Sequence, residues 1–219
     1  MSRNITFGAG EFYHLYNRGT EKRTIFSSKS DYERFLTLLY LCNSLGSVNL
    51  SEQGRTLEDV KNIDRGAPLL SIGAYCLMPN HFHLLIKAHE NGGVSKFMQK
   101  IATAYTMYFN KRSKRTGTLF QGKFKAIHIN NDTYLRYLPA YIHLNPVKLI
   151  EPGWKEIGIV NKKRAEEYLE RYRYSSFLDY TGKERLEKII LSMDALPGYY
   201  DSAIDFKKSV TEWLSYKPE

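Results

Sequence analysis

The chain has 219 residues, 42% of them hydrophobic, enough for a sizeable core in one domain or in one domain with an appendage. Its 32 Lys and Arg outnumber 23 Asp and Glu, and the formal charge of +9 favours a polyanionic partner through steering and counterion release. The two cysteines, Cys42 and Cys76, sit in apolar segments. They exclude a disulfide framework and a zinc ribbon and read as buried thiols of a reducing compartment. No segment is long and apolar enough to span a bilayer, and the opening MSRNITFGAG lacks the apolar run of a secretory signal. A soluble, intracellular protein is expected. Aromatics make up 14%, with 17 Tyr and 11 Phe. Those beside basic residues could stack on unpaired bases, while most are expected in the core.

In chain order, EFYHLYNRG (residues 11–19) reads as a strand closing in a turn at Asn17-Arg18-Gly19. From Ser30 a helix is expected: Ser30 and Glu33 fit a capping box, and Tyr32, Phe35, Leu36, Leu39 and Cys42 recur at helical spacing. Residues 47–67 are polar, contain glycine and read as a surface excursion. PLLSIGAYCLM and HFHLLIKA form a hairpin about Pro79-Asn80, where Pro presets φ and Asn tolerates unusual backbone angles. A second helix is predicted over 93–112, with Val94, Phe97, Ile101, Ala104 and Tyr108 as one stripe and a basic end, NKRSKRTG. TLFQGKFKAIHIN reads as a fourth strand, with Gln121, Lys123 and Lys125 on one face. Asn131-Asp132 caps a third helix running to Pro146, in which Pro139 either kinks the helix or starts it.

The order β-α-β-β-α-β, followed by a helix, predicts an α+β fold of the ferredoxin-like type: an antiparallel sheet, two helices on one face and the other face open for work. Residues 1–150 form this domain. Residues 151–219, charged and helical in pattern, form an extension that docks through Trp154, Trp213 and the aromatic YRYSSF.

The chemistry concentrates in two segments. In LMPNHFHLLI, side-chain alternation places Phe82, Leu84 and Ile86 on one face and His81 and His83 on the other. Two adjacent imidazoles either grip a divalent metal or are polar groups on a solvated face, and spacing alone does not separate the two. In YLPAYIHLNPVKL, Tyr141 and Asn145 are four residues apart and share a helix face. A phenol can attack a phosphodiester and hold the DNA end covalently. A metal beside it would polarise the phosphate. Two imidazoles and an amide oxygen would leave open positions on Mg²⁺ or Mn²⁺, although histidine also suits Zn²⁺.

These residues together resemble the HUH endonucleases, in particular the single-tyrosine (Y1) transposases of the IS200/IS605 type and their REP-associated relatives. YCLMPNHFHLLI carries the histidine–hydrophobic–histidine motif. YHLYNRG, LFQGKFKAI, YIHLNPVKL and YSSF match the group's pattern and order. The resemblance implies that Tyr141, first residue of the YIxxNPV segment, is the nucleophile. It implies that His81, His83 and Asn145 hold Mg²⁺ or Mn²⁺. The activity implied is nicking and rejoining of single-stranded or hairpin DNA through a 5′-phosphotyrosine and a free 3′-OH, in the cytoplasm at nucleoid DNA, by a monomer or homodimer. Such a transesterification conserves bond energy and needs no ATP motif.

Alternatives stand beside these roles. Tyr137, one turn earlier on the same face, rivals Tyr141, and Tyr134 follows it. Asn145 precedes Pro146 and could simply close the helix. Arg18, Lys87, Arg112, Arg115, Lys123 and Lys125 are candidate phosphate contacts or ordinary surface charges. His14, His89, His128 and His143 read as structural or solvated. Two rival classes remain. One is a non-catalytic nucleic-acid-binding module on the same fold. The other is a zinc hydrolase, which would need a further ligand and a general-base carboxylate that no neighbour of HFH supplies.

Overall fold

The computed structural model describes residues 5–46, 56–192, 195–196, 198–200 and 202–213. Four strands, β1 (Phe12–Arg18), β2 (Leu70–Met78), β3 (His81–Ala88) and β4 (Lys125–Ile129), form one antiparallel sheet in the order β2-β3-β1-β4. With helices α1 (Lys29–Leu41) and α3 (Gly93–Arg112) crossing between strands, this is the expected α+β, ferredoxin-like arrangement.

One sheet face packs under α1 and α3. Phe82, Leu84 and Ile86 join Phe35, Leu39, Phe97 and Ile101 in a single apolar cluster, with the Phe35 and Phe82 rings 5.0 Å apart. The α1 stripe works as predicted, but its start is two residues earlier than Ser30-Glu33 implies. Ser28 is the N-cap and Asp31 its capping-box partner. Tertiary contact fixes this earlier start. The buried Asp31 carboxylate accepts from the backbone N–H groups of Ser27 and Ser28 at 2.8 and 2.9 Å and pairs with Arg112 at 2.9 Å. Residues 47–55 of the polar excursion lie outside the described residues. Residues 57–60 form a single turn, α2 (Leu57–Val60), which buries Leu57 and Val60.

The fourth strand is shorter than expected. Gly122 adopts φ +65°, which breaks the alternation of TLFQGKFKAIHIN, so the ladder begins only at Lys125. Gln121, Lys123 and Lys125 therefore do not share a face. Gln121 and Lys125 line one cavity, while Lys123 lines another, beside α3.

The second sheet face is not left open. Helix α4 (Asp132–Leu144) lies over it, and a second apolar cluster joins Cys76, Met78 and Leu85 of the sheet to Leu138, Ile142 and Leu144. As predicted, Asn131 caps α4, its Oδ1 accepting from Tyr134 N at 2.7 Å. Pro139 sits inside the helix rather than starting it. The chain after α4 passes through α5 (Trp154–Ile157), α6 (Lys162–Leu169), α7 (Phe177–Tyr180) and α8 (Ala203–Trp213). These helices contribute Ala165, Leu169, Phe177 and Phe206 to the same cluster. Residues of YRYSSF also pair with the outer edge of β2: Leu77 N donates to Tyr174 O at 2.9 Å and Ser176 N to Tyr75 O at 3.0 Å. That covers a sheet edge that would otherwise expose unpaired backbone groups. Both cysteines are buried thiols.

Candidate active site

The site lies where the β2–β3 hairpin meets the exit of β1. The loop after β1 is strapped to the hairpin: Gly19 N donates to Asn80 O at 2.9 Å, and Ile25 N and Phe26 N donate to Pro79 O at 2.8 and 3.0 Å. Gly19 is required there, because a Cβ would lie 2.4 Å from Arg23 O. The same tight loop puts Glu21 and Lys22 in the left-handed region, φ 58° and 59°, and points to local strain held by the surrounding contacts. Lys22 lines the resulting cleft.

The register brings the histidines to this cleft. Tyr16 of β1 lies opposite His83, and Arg18 opposite His81. Each of the two imidazoles has its Nδ1 occupied. Asn80 Oδ1 accepts from His81 Nδ1 at 2.6 Å, and His83 Nδ1 lies 2.9 Å from His14 Nε2. Nε2 of both rings has no hydrogen-bond partner among the described residues. Burial, reinforced by Lys155, lowers the pKa of His81 and of His14 to about 4. Burial, then His14, His81 and Lys155, holds His83 well below its ordinary value. All three are therefore neutral at pH 7, the protonation state in which imidazole ligates a metal.

Helix α4 delivers Tyr141 and Asn145 to the same place. The Tyr141 ring stands edge-on to His83 and His14, centroids 5.9 and 6.0 Å away. Lys155, on α5, donates to the Tyr141 phenol oxygen at 2.8 Å, with its Nζ 4.2 Å from the ring centroid. Asn145 is almost wholly buried. Its Nδ2 turns back to the carbonyls of Tyr141 and Ile142 at 2.8 and 3.3 Å, closing the helix end. Its Oδ1 keeps only a long contact, 3.5 Å, to Lys155 Nζ. The capping reading of Asn145 thus holds for its nitrogen and leaves its oxygen available. Tyr137 packs instead against Trp213, centroids 4.4 Å apart.

His81, His83, Tyr141 and Asn145 line one cleft of about 950 Å³. So do Arg18, Lys22, Lys125, Lys148 and Lys155, and among the described residues no Asp or Glu lines it. The other proposed cations lie elsewhere. Lys87 sits 5.5 Å from the Phe12 ring, at the far end of β3. Arg112 is engaged by Asp31, Ser27 and Ser28. Arg115 bonds Asn110 and the Thr118 carbonyl. Lys123 lines the separate cavity beside α3.

Four residues of the site were not assigned to it from the sequence: Lys22, His14, which was read as structural or solvated, Lys148 and Lys155. His14 shares strand parity with Tyr16 and Arg18, a signal that could have placed it beside His83. Lys148 follows the NPV segment directly. Lys155 lies in a stretch with neither periodicity nor motif, and only the fold brings it to Tyr141. The remaining histidines lie away from the cleft: His143 is fully buried against Ser176, His89 bonds Ser71 and His128 pairs with Glu11.

Two imidazole nitrogens and an amide oxygen, all uncharged and free of strong protein partners, fit a hard divalent cation that keeps water and phosphate as further ligands. Among the described residues no group of three His, Cys, Asp or Glu side chains assembles into a metal cluster. The further acidic or thiolate ligand that a zinc hydrolase would want is therefore not gathered at the pair.

Residues 65–145 match the family described as "Transposase IS200 like", and the resemblance drawn from the motifs stands. The fold is similar to a solved structure of a REP-associated tyrosine transposase bound to a REP hairpin, with a TM-score of 0.52 and 15% identity, over 85% of this chain and 89% of that one. No curated protein matches the chain. No helix among the described residues is long and apolar enough to cross a membrane.

Proposed function

We propose that this chain, similar to the IS200-like single-tyrosine transposases, is a metal-dependent DNA nickase and strand transferase acting on single-stranded or hairpin DNA. The observation that carries the reading is the convergence, in one carboxylate-free cationic cleft, of the Tyr141 phenol with two neutral imidazoles and the Asn145 amide oxygen.

The roles follow from the chemistry of each group. Arg18, Lys22, Lys125 and Lys148 hold the DNA backbone in the cleft. His81 Nε2, His83 Nε2 and Asn145 Oδ1 are the donors for Mg²⁺ or Mn²⁺, which when bound polarises the scissile phosphate. Tyr141 attacks that phosphate, leaving a 5′-phosphotyrosine and a free 3′-OH. Attack by a second 3′-OH releases the tyrosine and joins the strands. Nucleophile and imidazoles come from one chain, so one copy carries the complete set and a monomer suffices.

The test is covalent capture. A library of hairpin oligonucleotides with randomised single-stranded flanks, labelled at the 3′ end, is incubated with the full chain and Mn²⁺. A labelled adduct that survives denaturation is expected for the native protein and for Tyr137→Phe, and none for Tyr141→Phe. Adduct from Tyr141→Phe would overturn the assignment of the nucleophile. Binding without any adduct would make the protein a DNA-binding module.

A further inference from the structure

The nucleophile has a partner that the histidine and tyrosine motifs do not include. Lys155 donates to the Tyr141 oxygen at 2.8 Å, and among the described residues its only other polar contact is the long one to Asn145 Oδ1. It makes no ion pair among the described residues. The nearby Glu151 carboxylate is committed elsewhere, accepting from Val160 N and Asn161 N at 2.8 and 3.1 Å. Its backbone is fixed on the single turn of α5, which Gly158 closes at φ +80° through its N–H to Trp154 O. An unpaired ammonium is thus held, partly buried, against one phenol.

We propose that Lys155 is a catalytic residue of the strand transfer, its ammonium stabilising the charge that develops on the Tyr141 oxygen. The inference rests on the nickase reading above. In the forward step the Tyr141 oxygen bonds to phosphorus and the P–O3′ bond breaks. The phenol proton passes to solvent and the departing 3′ oxygen takes a proton from solvent. In the return step the oxygen of an attacking 3′-OH bonds to phosphorus and its proton passes to solvent, while the bond from phosphorus to the phenol oxygen breaks and the phenolate leaves, later taking a proton from solvent. Negative charge therefore gathers on the same oxygen as nucleophile and as leaving group. A donor already placed 2.8 Å away needs no reorganisation to meet it, and removal of one such preorganised donor costs about a hundredfold in rate or more.

The geometry admits one competing explanation. A lysine beside Asn145 Oδ1 could occupy the cation's position and step aside when metal binds. The experiment separates the two. Single-turnover adduct formation is measured on the same 3′-labelled hairpin library at saturating Mn²⁺, between pH 6 and 9, for the native chain, Lys155→Met and Lys155→Arg. Mn²⁺ affinity and thermal unfolding are measured on each.

The expected result for Lys155→Met is a loss of about a hundredfold at pH 7. Melting temperature should be near native, and Lys155→Arg should recover most of the rate. A rate within threefold of native at every pH would overturn the proposal, and tighter Mn²⁺ binding alongside it would identify a cation stand-in. A loss that Lys155→Arg does not recover, accompanied by lower thermal stability, would overturn it in favour of a structural role. Failure of the nickase reading would show separately, as a native chain that forms no adduct or a Tyr141→Phe chain that does, and the proposal would fall with it.

Discussion

At the scale of single residues, the histidine pair depends on a third imidazole. For His83 to offer Nε2 as a ligand, its proton must sit on Nδ1, which then donates to His14 Nε2 at 2.9 Å. His14 must in turn carry its proton on Nδ1, a buried atom with no hydrogen-bond partner among the described residues. A buried donor left unsatisfied is costly and calls for an explanation. Setting the tautomer of His83 provides one. His14→Phe keeps a ring of similar shape and removes the acceptor. We expect it to weaken Mn²⁺ binding by about 10- to 100-fold, the usual cost of losing a group that orients a ligand. His14→Gln, which keeps an acceptor oxygen, should lose less. Calorimetric titration with Mn²⁺ in the absence of DNA checks this, and native affinity in His14→Phe would refute it. His81 needs no such partner from β1, because Asn80 of the hairpin turn already accepts from its Nδ1.

At the scale of elements, the chain after α4 holds the second sheet face closed and carries Lys155 to Tyr141. Its anchor is a buried ion pair. Arg185 contacts the fully buried Asp179 carboxylate at 2.6 Å and also bonds the Ser175 carbonyl at 2.7 Å and the Tyr75 hydroxyl of β2 at 2.8 Å. Arg185→Met would leave the carboxylate buried and unpaired, so destabilisation of about 3 kcal/mol or more is expected. Urea unfolding measures it, and a loss below about 1 kcal/mol would mean that the pair contributes little beyond its desolvation cost. None of this was readable in advance, because Arg185, Asp179 and Tyr75 meet only through the fold. What was readable is local. The Asn131 cap, the Pro79-Asn80 turn and the first half of the α3 stripe, Val94, Phe97 and Ile101, are each set within a few residues and appear where expected. Further along α3, Tyr105 and Phe109 are the buried residues, and the expected Ala104 and Tyr108 are only partly buried. Local reading failed where tertiary contact moved a helix start, as from the expected Ser30 cap to Ser28. It failed again where one glycine broke a period, as at Gly122. Arg112 and Arg115 show the same limit for charges: a sequence displays a cation and not the partner that occupies it.

At the scale of the whole molecule, the excess of +9 is not spread evenly. Several cations are committed within the fold, among them Arg112 to Asp31, Arg185 to Asp179 and Lys207 to Glu166 and Glu170. The cleft is lined by Arg18, Lys22, Lys125, Lys148 and Lys155 without a compensating carboxylate. Low-dielectric walls around charges of one sign focus the field on a bound polyanion. Four of these, Arg18, Lys22, Lys125 and Lys148, meeting four phosphates of a single strand should release about 0.7 counterion each, giving a slope of log K against log salt of about −2.8. The location of these charges makes the prediction specific. Lys148→Ala removes a cleft cation and should flatten the slope by about 0.7. Lys87→Ala removes the same formal charge from the far end of β3, beside Phe12, and should leave the slope unchanged. Fluorescence anisotropy with a single-stranded oligonucleotide between about 50 and 200 mM salt resolves such slopes. If both variants flatten it equally, net charge rather than the cleft governs binding, and the strand does not lie across Tyr141 as the chemistry requires.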